Sequence, residues 1–237
     1  LQGREFSTEM ETGTGKTYVY LRSIFELNRQ YGFKKFVIVV PSVAIREGVL
    51  KSIEITKEHF QTLYNNTAFD HFVYDSKKLG KVRQFATSNQ IQIMVINIQA
   101  FQKAENIMNQ ERDTMSGRMP IEYIQATRPF VIIDEPQSVD NTSKSKEAIK
   151  RLNPLATLRY SATHKNPYNL MYKLDPIRAY DLRLVKRIEV ASIKSDDDFN
   201  QAYVKLLKAD NAKGIKAQVE IHKKSGASIK ATKVWVK

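Results

Sequence analysis

Met10-Glu11-Thr12-Gly13-Thr14-Gly15-Lys16-Thr17 stands between a short strand-like run, Phe6 to Met10, and a long helical stripe. Gly13 and Gly15 allow the backbone to wrap tightly, so successive N–H groups of Thr12, Gly13, Thr14 and Gly15 can point at phosphate oxygens. The helix that starts at Lys16 adds its positive end. Lys16 would reach the β- and γ-phosphates, and the Thr17 hydroxyl would face Mg²⁺. The general motif expects glycine where this chain has Met10, so the match is to Gly-x-Gly-Lys-Thr in a strand–loop–helix context. The stretch predicts an NTP site on an α/β domain.

Working outward, apolar residues at Tyr20, Ile24, Leu27 and Tyr31 predict a helix over 16–31, closed by Gly32. Phe36 to Val40 is apolar throughout, as in a strand covered on both faces. Ser42 is expected to cap a helix carrying Ile45, Val49, Ile53 and Phe60. Phe69 to Tyr74, Ile91 to Ile98, Phe130 to Ile133 and Thr157 to Tyr160 read as strands. Short helices are expected around 79–85 and 145–152. The polar run Lys103 to Met119 reads as a mobile loop or a frayed helix. This alternation is that of a mainly parallel central sheet.

A second signal follows about 120 residues later, in Phe130-Val131-Ile132-Ile133-Asp134-Glu135-Pro136-Gln137. Acids at the C-terminal end of a buried strand stand where α/β sheets place catalytic groups. Asp134 would hold Mg²⁺ through water, and Glu135 would orient and deprotonate an attacking water. Two adjacent acids are tolerable there because a metal compensates them. Pro136 is expected to end the strand. Ser161-Ala162-Thr163, taken alone, is a turn of small residues.

The 237-residue chain carries 38 Lys+Arg against 25 Asp+Glu, a formal net charge of +13, which favours a polyanionic partner. It has no cysteine, which excludes disulfides, zinc ribbons, iron–sulfur clusters and thiol catalysis. Its apolar runs are too short to span a bilayer, and it opens without a basic-then-apolar leader, so no membrane and a cytoplasmic location are expected. Its four histidines are scattered with no metal-pair spacing. Beyond Ser192 the pattern changes. Asp196-Asp197-Asp198 reads as a solvated linker, and Tyr203 to Val236 alternates with period two, as an antiparallel meander. Residues 199–237 hold nine lysines and two acids. Tyr203 and Trp235 are expected in the core of that small sheet rather than stacked on nucleotides. The domain reading is therefore 1–192 for the nucleotide-binding lobe and 193–237 for a basic β appendage or the start of an inserted domain.

The order of these motifs resembles superfamily-two helicases and translocases. The form Asp-Glu-Pro-Gln, the string Pro41-Ser42-Val43-Ala44-Ile45-Arg46-Glu47-Gly48, Asn97-Ile98-Gln99-Ala100-Phe101 and Ala179 to Ile188 make it similar to the restriction (Res) subunit of type III restriction–modification enzymes, over about residues 5–192. The resemblance implies the first of two RecA-like lobes, with ATP and Mg²⁺ in the cleft between them. It implies Lys16 and Thr17 as phosphate and magnesium contacts, Asp134 and Glu135 as the hydrolytic pair, and Gln137, Ser161 and Thr163 as the link from hydrolysis to DNA movement. Pro41, Ser42 and Arg46 match the family's first DNA-backbone segment, and Gln99 lies near a second; Arg46 also reads as a solvated helix residue. The implied partners are double-stranded DNA, a modification (methyltransferase) subunit, a second RecA-like lobe with its arginine finger, and a nuclease domain. None of the last two is visible in this chain, so it is read as a fragment that binds ATP with little turnover alone. Two other readings stay open: a superfamily-two DNA or RNA helicase without nuclease activity, and a non-hydrolysing ATP-binding adaptor, against which the intact Lys16, Thr17, Asp134 and Glu135 argue.

Overall fold

A computed structural model describes residues 3–164, 167–186, 204–210, 216–225 and 228–236. The chain divides into two compact units, Leu1–Arg187 and Ile188–Lys237. In the first, strands β1 (Glu5–Met10), β2 (Lys35–Val40), β3 (Phe69–Val73), β4 (Ile91–Asn97), β5 (Phe130–Asp134), β6 (Ala156–Ser161) and β7 (Leu170–Leu174) form one sheet. Its order is β3-β4-β2-β5-β6-β1-β7, and every neighbouring pair is parallel. The helices are α1 (Lys16–Tyr31), α2 (Val43–Leu63), α3 (Gly80–Thr87), α4 (Pro120–Thr127), α5 (Pro136–Val139), α6 (Ser143–Arg151) and α7 (Pro176–Asp181).

The sheet is covered on both faces, which is why its central strands are continuously apolar. Phe36, Ile38, Val40, Ile93, Val95 and Ile132 pack with Tyr20, Leu21, Ile24 and Phe25 of α1 and Val49, Ile53 and Phe60 of α2. The alternate residues Val37, Val39, Met94, Ile96, Val131 and Ile133 face α3, α4 and α6 through Val82, Phe85, Ile121, Ile124, Ala148 and Ile149. Period two thus assigns each strand residue to one helix layer.

Helix ends follow local chemistry. Gly32, at φ +74°, closes α1 by donating its N–H to the Asn28 carbonyl. The Ser42 hydroxyl oxygen accepts from the Ile45 N–H at 3.3 Å and starts α2.

The segment expected as a mobile loop or frayed helix is packed down instead. It forms 3₁₀ turns at Ile107–Asn109 and Asp113–Met115, and Met108 and Met115 are buried in the α3/α4 core. Their two thioether side chains anchor a run whose polar composition hides them. Helices α4 and α7 and strand β7 are further elements beyond the sequence reading. Pro136 ends β5 as expected and also supplies the first residue of α5.

The second unit contains strands β8 (Val204–Asp210), β9 (Lys216–Ser225) and β10 (Ser228–Val236), antiparallel in the order β10-β9-β8. Its register opposes Val219 to Val234 and Leu206, and Trp235 to Gln218. Trp235 therefore shares a face with the polar pair Lys233 and Glu220 and is 49% exposed, contrary to the core position expected for it. Tyr203 and the Asp196–Asp198 linker lie outside the described residues. Among the described residues, no helix is long and apolar enough to cross a membrane.

Candidate nucleotide site

Strands β5, β6 and β1 lie side by side, so the residues leaving their C-terminal ends converge. The register sets Glu9 opposite Ser161 and Asp134 opposite Tyr160. The turn after β1 is built on Gly13 at φ +80° and Gly15 at φ +90°, values that glycine adopts without strain. Thr14 fastens the loop: its Oγ1 donates to the Glu11 carbonyl at 2.6 Å. The Thr12 N–H donates to the Glu11 carboxylate at 2.8 Å. The first turn of α1 then opens on a cavity of about 400 Å³ lined by Gly13, Gly15, Lys16, Thr17, Tyr18, Ser52 and Thr56.

Lys16 Nζ sits 3.3 Å from Glu135 Oε1 and 3.4 Å from the Met10 carbonyl oxygen. Glu135 has the left-handed backbone φ +53°, unusual for a side-chain-bearing residue, and its N–H is held by the Tyr160 carbonyl at 3.0 Å. Its other oxygen, Oε2, accepts from Gln137 Nε2 at 2.6 Å. The Ser161 hydroxyl lies 3.1 Å from the same oxygen, 2.8 Å from Gln137 Oε1 and 2.8 Å from the Thr163 carbonyl, and accepts from the Thr163 N–H at 3.3 Å. One hydroxyl proton thus has three acceptors, so the contact can pass between Glu135, Gln137 and Thr163 with small movements.

Asp134 has the same strand parity as Ile132 and so faces α1. It is 6% exposed, and burial, then the Glu135 charge, push its carboxyl up to about 6, against the opposing pull of Lys16 and of the Tyr20 hydroxyl. Tyr20 is fully buried beside Asp134 and Thr17, and its hydroxyl completes no hydrogen bond. The buried Asp134 carboxylate and the Thr17 hydroxyl make a hard-oxygen set, and the orphaned Tyr20 hydroxyl stands behind the carboxylate. Such a set fits Mg²⁺, which takes few protein ligands and keeps waters and phosphate oxygens. The residues present therefore suit the metal expected at Thr17 and Asp134.

Residues 2–166 match the family described as type III restriction enzyme, res subunit. The chain belongs to that family. Over 198 residues it is 32% identical to the type III restriction-modification enzyme EcoP15I Res subunit of Escherichia coli, covering 76% of this chain and 20% of that protein. The StyLTI Res subunit of Salmonella typhimurium is 33% identical over 216 residues, 83% of this chain and 22% of its own length. The chain thus spans about a fifth of these curated relatives. Among solved structures, a nuclease-deletion mutant of the type ISP restriction-modification enzyme LlaGI in complex with a DNA substrate mimic aligns with TM-score 0.51 and 16% identity, over 77% of this chain and 19% of that one. The DUF1998 helicase MrfA bound to DNA aligns with TM-score 0.50 and 19% identity, over 72% and 25%. These likenesses identify the fold as RecA-like.

In this Res-family chain the two expected DNA segments meet. Gln99 Nε2 donates to the Pro41 carbonyl at 3.1 Å, tying the end of β2 to the turn after β4. The Ser42 hydroxyl is engaged in capping α2, and Arg46 pairs with the neighbouring Glu47 at 2.8 Å.

Sequence reading missed three parts of the site. Tyr20 counted only as one residue of an apolar stripe. Arg159 and Asp140 carried no motif, yet Arg159 is 5% exposed and its Nε and Nη2 donate to Asp140 Oδ2 at 3.1 and 2.9 Å. Arg159 also lies 4.6 Å from the Tyr168 ring centroid and 3.5 Å from Glu5. This pair joins the segment after Glu135 to the strand that ends in Ser161.

Proposed function

We propose that this chain is the ATP-binding motor lobe of a type III restriction endonuclease, and that ATP hydrolysis there moves or switches the enzyme on duplex DNA before a separate nuclease domain cuts. The observation that carries the reading is the convergence of Lys16, Asp134, Glu135 and Ser161 at the C-terminal ends of the strands, with Lys16 Nζ 3.3 Å from Glu135. In this scheme the amides of Thr12 to Gly15 and the Lys16 ammonium hold the β- and γ-phosphates. Asp134 and Thr17 hold Mg²⁺, which when bound would neutralise charge on the transferring phosphoryl. Glu135, held by Gln137, orients the attacking water and accepts its proton. Ser161, whose hydroxyl has Glu135, Gln137 and the Thr163 carbonyl within reach, relays the change at Glu135 to the segment after β6.

Pro41, Ser42, Arg46 and Gln99 are proposed to line the DNA backbone. The transition-state arginine, the nuclease and the modification methyltransferase partner are proposed to lie outside this chain, and 193–237 to form a basic appendage or the start of an inserted domain. The test is ATP turnover by the intact subunit with and without duplex DNA, and with Lys16→Ala. Turnover stimulated by duplex DNA and lost in Lys16→Ala is expected. Turnover indifferent to DNA, or retained by Lys16→Ala, overturns the reading, and stimulation by RNA alone redirects it to an RNA helicase.

A further inference from the structure

Two buried tyrosines pack edge to face in the core beneath the phosphate loop, Tyr20 on α1 and Tyr160 on β6, with ring centroids 5.5 Å apart. Their hydroxyls differ. Tyr160 meets the Ser23 hydroxyl at 3.2 Å. The Tyr20 hydroxyl is enclosed with no completed hydrogen bond, although Asp134 and Thr17 lie beside it. A phenylalanine would fill the same core space without burying an unpaired oxygen, so the oxygen calls for a partner. Asp134 is the group in position to be that partner. Its carboxylate is buried on the same sheet face, and Tyr20 follows Thr17 by three residues on α1, the spacing that stacks side chains on one helix face.

We propose that Tyr20 is a positioning residue for Asp134: its hydroxyl donates to one carboxylate oxygen and turns the other toward the metal. This rests on the reading of Asp134 as the metal-side acid. Carboxylates that hold metals are themselves oriented by hydrogen bonds from outside the coordination sphere, and losing such a partner weakens metal affinity by about 10- to 100-fold.

The experiment uses the intact subunit and Tyr20→Phe. A fluorescent ATP analogue is titrated without metal and then with Mn²⁺, whose binding is counted by electron paramagnetic resonance. Metal-free nucleotide affinity is expected to be unchanged, while half-saturation requires about 10-fold more Mn²⁺. The urea midpoint should not fall. In an Asp134→Asn background, Tyr20→Phe should change the Mn²⁺ requirement no further. An unchanged Mn²⁺ requirement in the single variant overturns the proposal. So does a parallel loss of stability, metal-free nucleotide and Mn²⁺ binding, which would mark a packing role. Wild-type protein that binds no nucleotide would instead overturn the ATP-site reading itself.

Discussion

Lys16 Nζ lies 3.3 Å from Glu135 Oε1, and the pair spans the gap between the phosphate loop and the end of β5. The same ammonium is proposed to hold phosphate oxygens, so carboxylate and phosphate would compete for one cation. Glu135→Gln removes the competitor and the base together. Nucleotide affinity should hold or rise, while hydrolysis falls by about 10²- to 10⁴-fold. Calorimetry and phosphate-release assays on the intact subunit check both halves, and weakened nucleotide binding would contradict the arrangement.

Asp134 titrates near 6 rather than 3.8 because burial and Glu135 oppose its charge. The folded chain therefore keeps a proton that the unfolded chain releases, and this group makes stability fall as pH rises from about 4 to about 6. At pH 7 the ionised carboxylate costs up to about 3 kcal/mol when uncompensated. Asp134→Asn should be the more stable protein at pH 7 without metal, the difference closing below pH 4. Urea unfolding at several pH values measures it, and a difference that grows on acidification would be the wrong sign.

Asp140 and Arg159 form a buried pair with side chains 11% and 5% exposed. Asp140→Ala leaves the guanidinium buried with the longer contact to Glu5 and the face of Tyr168, and should cost about 3–5 kcal/mol. Arg29→Ala, which breaks a pair whose arginine is 61% exposed, should cost less than about 1 kcal/mol. Equal losses in the two variants would show that burial does not govern these pairs.

Gly15 has φ +90°, and a Cβ built there meets nothing within 4 Å. Gly15→Ala is thus opposed by backbone strain rather than by a clash, at about 1–2 kcal/mol. Because the strain sits in the loop, nucleotide affinity should fall with stability. Thermal unfolding and nucleotide titration should move together, and a stable variant with normal affinity would refute the loop geometry.

Arg46 is the basic residue on the proposed DNA face, with a side chain 27% exposed. Arg46→Ala should weaken duplex DNA binding evenly across sequences and reduce the salt slope by about one. Nucleotide affinity should stay unchanged. A salt titration of DNA binding reads this directly, and an unaltered slope would return Arg46 to the solvated helix surface.

Much of this was legible in the chain. The glycines at 13 and 15, the continuous apolar runs of β2, β4 and β5 and the caps Ser42 and Gly32 are local signals, each set by the residue's own conformational or hydrogen-bonding chemistry. The Met108 and Met115 anchors were not legible, since the few apolar residues of that polar run follow no helical or strand period. Trp235 misled because a large aromatic ring in a small sheet suggested a core, whereas the β9–β10 register sets it opposite Gln218.

The sequence by itself determined the glycine-rich turn between β1 and α1, the α/β class and the acidic pair at a strand end, because these depend on residues within a few positions of one another. The tertiary structure decided what those motifs face. Strand order brings β5, β6 and β1 together, and side-chain parity turns Asp134 toward Tyr20 on α1 while Arg159 turns toward Asp140 on the opposite face. Such pairings join residues 19 to more than 100 positions apart. They arise from burying both faces of one sheet, a condition that the elements of the first unit satisfy together.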